Sequence, residues 1–528
     1  GWPAVLHERA RRRACAMAEA QRVQVVASGD VRAARPEERK LLDALTCLYA
    51  RTTLDRAGRR LLRNGERHLK ARHEMAARFA DRPDWIHATR TIAERCHFGM
   101  EVLEYHFPQF PLERGESQDA ALRRLTYEGA RSRYGAPLPN PVRNQLEHEL
   151  EIIARLGLAG YFLIVHDISC FARSQNILVQ GRGSAANSAV CYSLAITAVD
   201  PVGMKLLFER FLSEERGEWP DIDLDLPSGD KRETVIQYVF KKYGERGAAM
   251  TANVITYRTR LAVREMGKVL GMGSETIGRI SKLIASIDHR DEFDSLETTL
   301  SQAGVDPTAP NIHRLLCLVE QIRGLPRHLG QHSGGVVIAA GHLDEVVPIE
   351  PASMKNRSVV QWDKDDCSQM GIIKIDLLGL GMLAALEVTT SLIREQQGIE
   401  IDLAKLPKDD PATYAMMRAA DTIGVFQIES RAQMATLPRL KPKCFYDLVV
   451  EIALIRPGPI VGQMVNPYLE RRAGRQEVTY PHPSLEPVLE RTLGVPLFQE
   501  QILRIAMIAA GFSGGEAEEL RRAMGFKR

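Results

Sequence analysis

Asp221-Ile222-Asp223-Leu224-Asp225 alternates three carboxylates with aliphatic residues. In an extended chain the period of two sets all three acids on one face, with Trp219, Ile222, Leu224 and Leu226 near the other. A strand with one wholly anionic face needs a partner for that charge. In water the usual partner is a divalent cation held by carboxylate oxygens, and magnesium accepts one or two such ligands together with substrate phosphates. A solvated acidic turn is the alternative that the spacing leaves open. A calcium-binding EF-hand loop is excluded, because it requires Gly where Leu226 stands and Glu where Arg232 stands.

Upstream, Ile177-Leu178-Val179 reads as a short buried strand entering Gly181-Arg182-Gly183-Ser184, and Ala185 to Leu194 reads as a helix opened by Ser184. Two glycines allow close backbone approach, and a helix amino terminus adds unpaired amides and partial positive charge, an arrangement suited to a phosphate. The same residues fit the dinucleotide fingerprint Gly-x-Gly-x-x-Ala, with Ala186 in the last place and Asp200 where a ribose-binding acid would be sought. Asp200-Pro201 reads as a turn, which speaks against that fit. Downstream, Gly371 to Leu380 is an apolar strand interrupted by Lys374 and Asp376, which share a face. Charges in a core strand are costly unless paired or metal-bound. Lys374 and Asp376 are therefore either a structural ion pair or a third carboxylate beside a cation that faces phosphates.

A Gly-Ser phosphate loop, an Asp-x-Asp strand and a lone Asp on a later strand occur in the order required for nucleotidyl transfer. Two magnesium ions bridged by carboxylates activate a primer hydroxyl and neutralise the pyrophosphate that leaves. Such chemistry rests on positioning and charge rather than on a covalent nucleophile, which matches a set made of Asp, Lys, Arg, Gly and Ser.

With these parts the chain resembles the bacterial C-family DNA polymerases, the catalytic alpha subunits of DNA polymerase III, and most closely their error-prone translesion branch. The resemblance is carried by Gly181-Arg182-Gly183-Ser184, Leu207 to Leu212, Pro220 to Asp225, Lys374 to Leu380, Gly424 to Ser430, Arg456-Pro457-Gly458-Pro459, Phe498-Gln499-Glu500-Gln501 and Leu520 to Gly525. The error-prone branch is indicated by Trp219 to Asp225 and by His482 to Leu489. The resemblance implies that Asp221, Asp223 and Asp376 are the catalytic acids, holding two Mg2+ ions. It implies that Gly183, Ser184, Arg210 and Lys374 contact the triphosphate of the incoming nucleotide, and that Arg521 and Arg522 reach it from the fingers. Asp225 matches an acidic position of open role. Without the resemblance, Arg210 would be a partner of Glu209 or Glu214, and Arg521 and Arg522 a solvated helix face.

The implied fold is α/β (α+β): a nucleotidyltransferase-like palm with a mixed β-sheet, a helical thumb and helical fingers. Residues 1–90 would comprise the tail of a PHP domain and a helical linker, 91–252 and 332–380 the palm, 253–331 the thumb and 381–528 incomplete fingers. The closing Asp-x-His implied for the PHP domain stands here as Asp30-Val31-Arg32, with Arg in place of the His ligand. Implied partners are primer-template DNA, deoxynucleoside triphosphates, a sliding clamp and other translesion proteins. The alternative is a nucleotidyltransferase-like fragment that binds DNA or a partner without catalysis.

Composition agrees with a multi-domain enzyme. The chain has 528 residues, enough for several domains, and its 45% hydrophobic content supplies each with a core. A net charge of +3 is too small to argue for nucleic acid by itself. Arg260, Arg264 and Lys268 recur every four residues, a cationic helix stripe that either follows a DNA backbone or is simply solvated. Eight cysteines without a Cys-x-x-Cys pair argue against a zinc site and for a reducing, cytoplasmic compartment. No apolar stretch is long enough to span a bilayer. Helices dominate residues 33–155, where Leu146, Leu150, Ile153 and Leu156 mark an apolar face and Gly157 a stop. Gly334 to Ala339 reads as a core strand, and the lone His332 beside it is assigned no role.

Overall fold

The computed structural model describes the chain except for residues 1, 104, 113–114, 213–218, 285–297, 299, 302–303, 402–405, 407–408, 456–461 and 526–528. Arg456-Pro457-Gly458-Pro459 and Glu214 lie outside the described residues, as does the side chain of Arg522. The chain forms two compact units, Gly1–Glu104 with Asn253–Gly330, and Tyr105–Ala252 with Gln331–Arg528.

In the first unit, the helices Arg39–Tyr49, Thr259–Val269, Ser274–Ile284 and Pro310–Ile322 pack around Leu41, Ala44, Val263, Met266, Leu315 and Val319. Each helix turns a 3.6-residue apolar stripe inward. Arg260, Arg264 and Lys268 lie on the outward face of Thr259–Val269.

The second unit is built on one mixed sheet of seven strands: β1 (Gln180–Arg182), β2 (Asp223–Pro227), β3 (Ala248–Thr256), β4 (Pro326–Ile338), β5 (Ile349–Pro351), β6 (Ser358–Val360) and β7 (Lys374–Leu380). Their order is β1-β2-β7-β4-β3-β6-β5. The pairs β2–β7 and β3–β6 are parallel, and β1–β2, β4–β7 and β5–β6 antiparallel.

The period of two divides this sheet chemically. Ile222, Leu224 and Leu226, Val336 and Ile338, Ile375 and Leu377 all point to one face and are buried with Leu146, Ile153, Phe162 and Ile164 from the helices Asn140–Arg155 and Ala159–Ser174. Each such side chain contributes about 1.5–3 kcal/mol by leaving water, so a one-residue register slip, which would exchange the two faces, is strongly disfavoured. On the opposite face Ala249, Val337 and Val360 are covered by Leu343, Val347, Cys367 and Ile372. That cover stops short of β7 and β2, where the charged residues stand.

Ile177-Leu178-Val179 is not a strand. The strand is Gln180–Arg182, one step later and only half-buried, because β1 lies at the sheet edge and pairs with β2 alone. Among the described residues no single helix is long and apolar enough to cross a membrane, and all eight cysteines are free. Beyond β7 the helix Gly381–Gln397 leads to a helical region that includes Arg431–Leu440, Phe445–Leu454, Gln499–Ala510 and Gly514–Gly525.

Candidate active site

Asp223 on β2 stands directly opposite Asp376 on β7. The residue before it is held at both backbone groups: Ile222 N–H donates to the Tyr161 hydroxyl at 2.9 Å, and the Asp376 N–H donates to the Ile222 carbonyl at 3.4 Å. Pinning Ile222 in extended form directs its neighbours Asp221 and Asp223 to the same side. One carboxylate oxygen from each of Asp221, Asp223 and Asp376 consequently lies within 4.8 Å of the other two. Trp219 belongs to this side as well. It is 42% exposed and borders the carboxylates instead of joining Ile222 in the core.

The fourth acid of the face has another duty. Asp225 is buried, and its carboxylate accepts from Arg182 Nε at 2.9 Å, while Arg182 also lies 3.6 Å from Asp223. Burial raises the Asp225 pKa and Arg182 opposes the rise. Asp225 is thus a counter-ion of the edge strand, outside the cluster of three.

Lys374 Nζ donates to Asp221 Oδ1 at 2.9 Å and to Asp376 Oδ2 at 2.6 Å. Burial alone would depress this ammonium, but the two carboxylates outweigh it and its pKa is raised. Asp223 behaves oppositely. Burial, and then the charges of Asp221 and Asp376, push its carboxyl up to about 6 against the pull of Arg182 and Lys374.

His332, beside Gly334 and Gly335, lines the same cleft. Its Nδ1 accepts the amides of Gly334 at 3.2 Å and Gly335 at 2.6 Å, so that nitrogen carries no proton. Burial and the nearby Lys374 lower its pKa, although Asp376 opposes them. The imidazole is therefore neutral, and its 3.8 Å approach to Asp376 Oδ1 is not an ion pair. A Cβ on Gly335 would lie 2.4 Å from Thr251 Oγ1 and 2.9 Å from both His332 Nδ1 and Lys374 Cδ. Only glycine leaves room for the lysine to reach the carboxylates.

Asp376 Oδ1 is buried and has no hydrogen-bond partner. A buried carboxylate oxygen left without a donor costs free energy, and a hard divalent cation bound by oxygens supplies the missing partner. The three carboxylates fit such an ion. They open into a cleft of about 540 Å³ that also contains His332, Ser333, Lys364 and Lys374, a volume within the range of small-molecule sites.

The glycine-rich segment borders this cluster in a form that differs from the expected helix start. Gly181 N–H donates to the Ile196 carbonyl at 2.6 Å, and a Cβ at Gly181 would lie 2.7 Å from that oxygen. Gly183 has φ +72, and its Cβ position lies 3.6 Å from Asp223 Oδ2. Gly183–Asn187 is a 3-10 turn carrying the half-buried Ser184, and the α-helix begins only at Ala189, capped by Ser188. That helix terminus is already occupied. The fully buried Glu149 carboxylate accepts the Ser188 hydroxyl at 2.7 Å and the amides of Ala189 and Val190 at 2.8 and 3.0 Å. The helix dipole is thus satisfied internally.

Asp200, the acid of the dinucleotide alternative, accepts the Tyr134 hydroxyl at 2.7 Å and the Val202 amide at 3.0 Å, in a turn and not at a strand end. Arg210 ends a 3-10 turn, Phe208–Arg210, that packs against Gly183–Asn187 on one side and against Gly514–Gly525 on the other. It forms an ion pair with Glu500, while Glu209 faces His148 at 3.2 Å and Glu214 lies outside the described residues. Arg521 is bound bidentately by Glu518 at 2.6 and 2.9 Å. In the first unit, Arg260, Arg264 and Lys268 border a pocket with Ser281 and Lys282 and have no carboxylate partner among the described residues. Arg32 pairs with Asp30 at 3.1 Å.

Tyr161 and Lys364 were not singled out by sequence pattern; Arg182 was quoted only as part of the glycine-rich segment, and His332 was noted beside its glycine pair and assigned no role. Residues 120–379 match the bacterial DNA polymerase III alpha NTPase domain, and residues 382–528 match the bacterial DNA polymerase III alpha subunit finger domain. The error-prone DNA polymerase of Mycolicibacterium paratuberculosis is 52% identical over 507 residues, which are 96% of this chain and 45% of that protein. Those of Dechloromonas aromatica and Alkalilimnicola ehrlichii are 49% and 48% identical over 95% and 97% of the chain, and 48% and 49% of their own lengths. The chain spans about half the length of these curated relatives. With two family models covering adjacent parts and relatives of about half-identical sequence along nearly all of it, the chain belongs to the bacterial DNA polymerase III alpha family.

Proposed function

We propose that this chain carries the palm and fingers of a template-directed DNA polymerase that joins deoxynucleotides to a primer 3′-hydroxyl during error-prone synthesis past damaged template. The observation that carries the reading is the convergence of Asp221, Asp223 and Asp376 from two neighbouring parallel strands, with Asp376 Oδ1 left without a partner. Asp221, Asp223 and Asp376 would hold two Mg2+ ions, which lower the pKa of the attacking hydroxyl and neutralise the leaving pyrophosphate. Lys374, presently bridging two of the acids, is placed to transfer its charge to a phosphate oxygen. On this reading the Gly183–Asn187 turn, with Ser184, would contact the same substrate group, joined by Arg210 on the turn Phe208–Arg210 packed against it and by Arg521 on the helix Gly514–Gly525 packed against Phe208–Arg210.

On this reading residues 91–252 and 332–380 are palm, 253–331 thumb and 381–528 fingers. Residues 1–90 end a PHP domain whose metal ligand is replaced by Arg32. Arg260, Arg264 and Lys268 follow the duplex backbone through salt-sensitive contacts. A sliding clamp and other translesion proteins are the expected partners, in the cytoplasm. Primer extension with Mg2+ by the full-length protein tests the assignment. Asp223→Ala should abolish nucleotide addition while its thermal unfolding stays close to that of the parent, and retained turnover would refute it.

A further inference from the structure

Of the arginines assigned to the incoming nucleotide, Arg210 and Arg521 are already engaged by carboxylates. Arg210 is paired with Glu500 on the helix Gln499–Ala510, and Arg521 with Glu518 on Gly514–Gly525, with Glu500 close enough to act on Arg521 as well. The contact is a built interface. Leu207 packs into the cluster of Leu503, Ala506, Ala517, Met507 and Phe512. Gly514 approaches Glu209 so closely that a Cβ would lie 2.7 Å from Glu209 Cγ, and Arg504 donates to the Lys205 carbonyl from the turn of helix after Glu500. Glu500 is 18% exposed at its side chain and Arg210 30%, so the pair is partly shielded from water.

We propose that Glu500 is a competing anion, which occupies Arg210 until an incoming triphosphate displaces it and so sets the apparent affinity for nucleotide. This rests on the assignment of Arg210 to the triphosphate made above. A triphosphate carries several negative charges, and it reaches a guanidinium already bound to a carboxylate only by exchanging partners or by tolerating a like charge beside it. Both routes raise the nucleotide concentration needed for half-saturation. The exchange also loosens an ion pair between the 205–210 segment and the helix Gln499–Ala510, so nucleotide entry is coupled to that contact.

The test is single-nucleotide incorporation on a primed template by the full-length protein, comparing Glu500→Gln, Glu500→Asp and Arg210→Ala. Glu500→Gln should lower KM for the nucleotide roughly two- to fivefold, the scale of one partly exposed ion pair, with a smaller change in kcat. Glu500→Asp should retain the parent KM. Raising the salt concentration weakens the pair in the parent, so the KM ratio between parent and Glu500→Gln should shrink toward one. An unchanged or raised KM in Glu500→Gln overturns the proposal, and so does a KM ratio that ignores salt. Arg210→Ala separates the two layers of the argument. A raised KM there supports the triphosphate assignment whatever Glu500 does, and an unaffected KM removes that assignment and the competition with it.

Discussion

Glu451 lies on the helix Phe445–Leu454, 0% exposed, with both carboxylate oxygens buried and without a hydrogen-bond partner. Burial raises its pKa from 4.5 to about 7. At about 1.4 kcal/mol per pH unit that gap corresponds to at most ~3.5 kcal/mol, and water relaxing around the carboxylate brings the expected effect to about 1–3 kcal/mol. Below pH 4.5 the group is protonated in folded and unfolded chains alike and costs nothing through ionisation. As pH rises from 4.5 to about 7 the unfolded carboxyl ionises while the folded one keeps its proton, so the parent loses stability; above about 7 the loss is complete. Glu451→Gln has nearly the same volume and cannot ionise, and its buried amide adds an offset that does not depend on pH. Calorimetric unfolding of both proteins from pH 5 to 8.5 should show the variant gaining on the parent as pH rises. For a cooperative unit of about 150–250 residues the gain is roughly 2–4 °C per kcal/mol. A Tm difference that stays constant with pH, or moves in the parent's favour, would mean that Glu451 acquires a cationic partner, and the argument from burial would fail.

Two further outcomes test the frame of the active site. Glu149→Ala removes a fully buried acceptor of the Ser188 hydroxyl and two helix-terminal amides and should cost roughly 3–5 kcal/mol in chemical denaturation; a loss below 1 kcal/mol would show that water replaces the carboxylate there. Gly335→Ala should destabilise by about 1–3 kcal/mol through overpacking against Thr251 and Lys374 and lower nucleotide addition by displacing that lysine. Gly341→Ala, with open space around its Cβ, is the matched control and should behave like the parent.

The face of Asp221 to Asp225 was legible because its signal is local. A period of two needs only neighbouring residues, and Ile222, Leu224 and Leu226 are buried as that period requires. Its pairing with Lys374 and Asp376 was reached through family pattern, since the register of two strands far apart in sequence leaves no local trace. Where several local options existed, tertiary structure chose among them. Ser184 and Ser188 are both good helix caps, and Glu149, some forty residues upstream, selects the second by filling the vacated amides. Ile177-Leu178-Val179 has strand composition, yet the strand forms at Gln180–Arg182, where Arg182 lies opposite Asp223 and reaches Asp225. Arg210, whose partner was sought at Glu209 or Glu214, pairs with Glu500, 290 residues away, while Glu214 lies outside the described residues. Charge pairs between distant segments are decided by packing, and here Leu207 and the Gln499–Ala510 helix do the deciding.

Charge balance explains why these particular residues share one face. Four carboxylates, Asp221, Asp223, Asp225 and Asp376, face two cations, Arg182 and Lys374. Arg182 is committed mainly to Asp225, and Lys374 is divided between Asp221 and Asp376, so two negative charges remain near neutral pH. The site relieves that excess at acidic pH by leaving a proton on Asp223, whose carboxyl is pushed up to about 6. At neutral pH a bound divalent cation would balance it and would give Asp376 Oδ1 its missing partner. On the proposed reading one ion would then be enough to balance the protein's own charges, and a second would become favourable only when a substrate brings further negative charge. In this balance Lys374 screens Asp221 and Asp376, and on the proposed reading it would turn to a phosphate once an ion takes its place beside the buried Asp376, whereas Arg182 stays with Asp225.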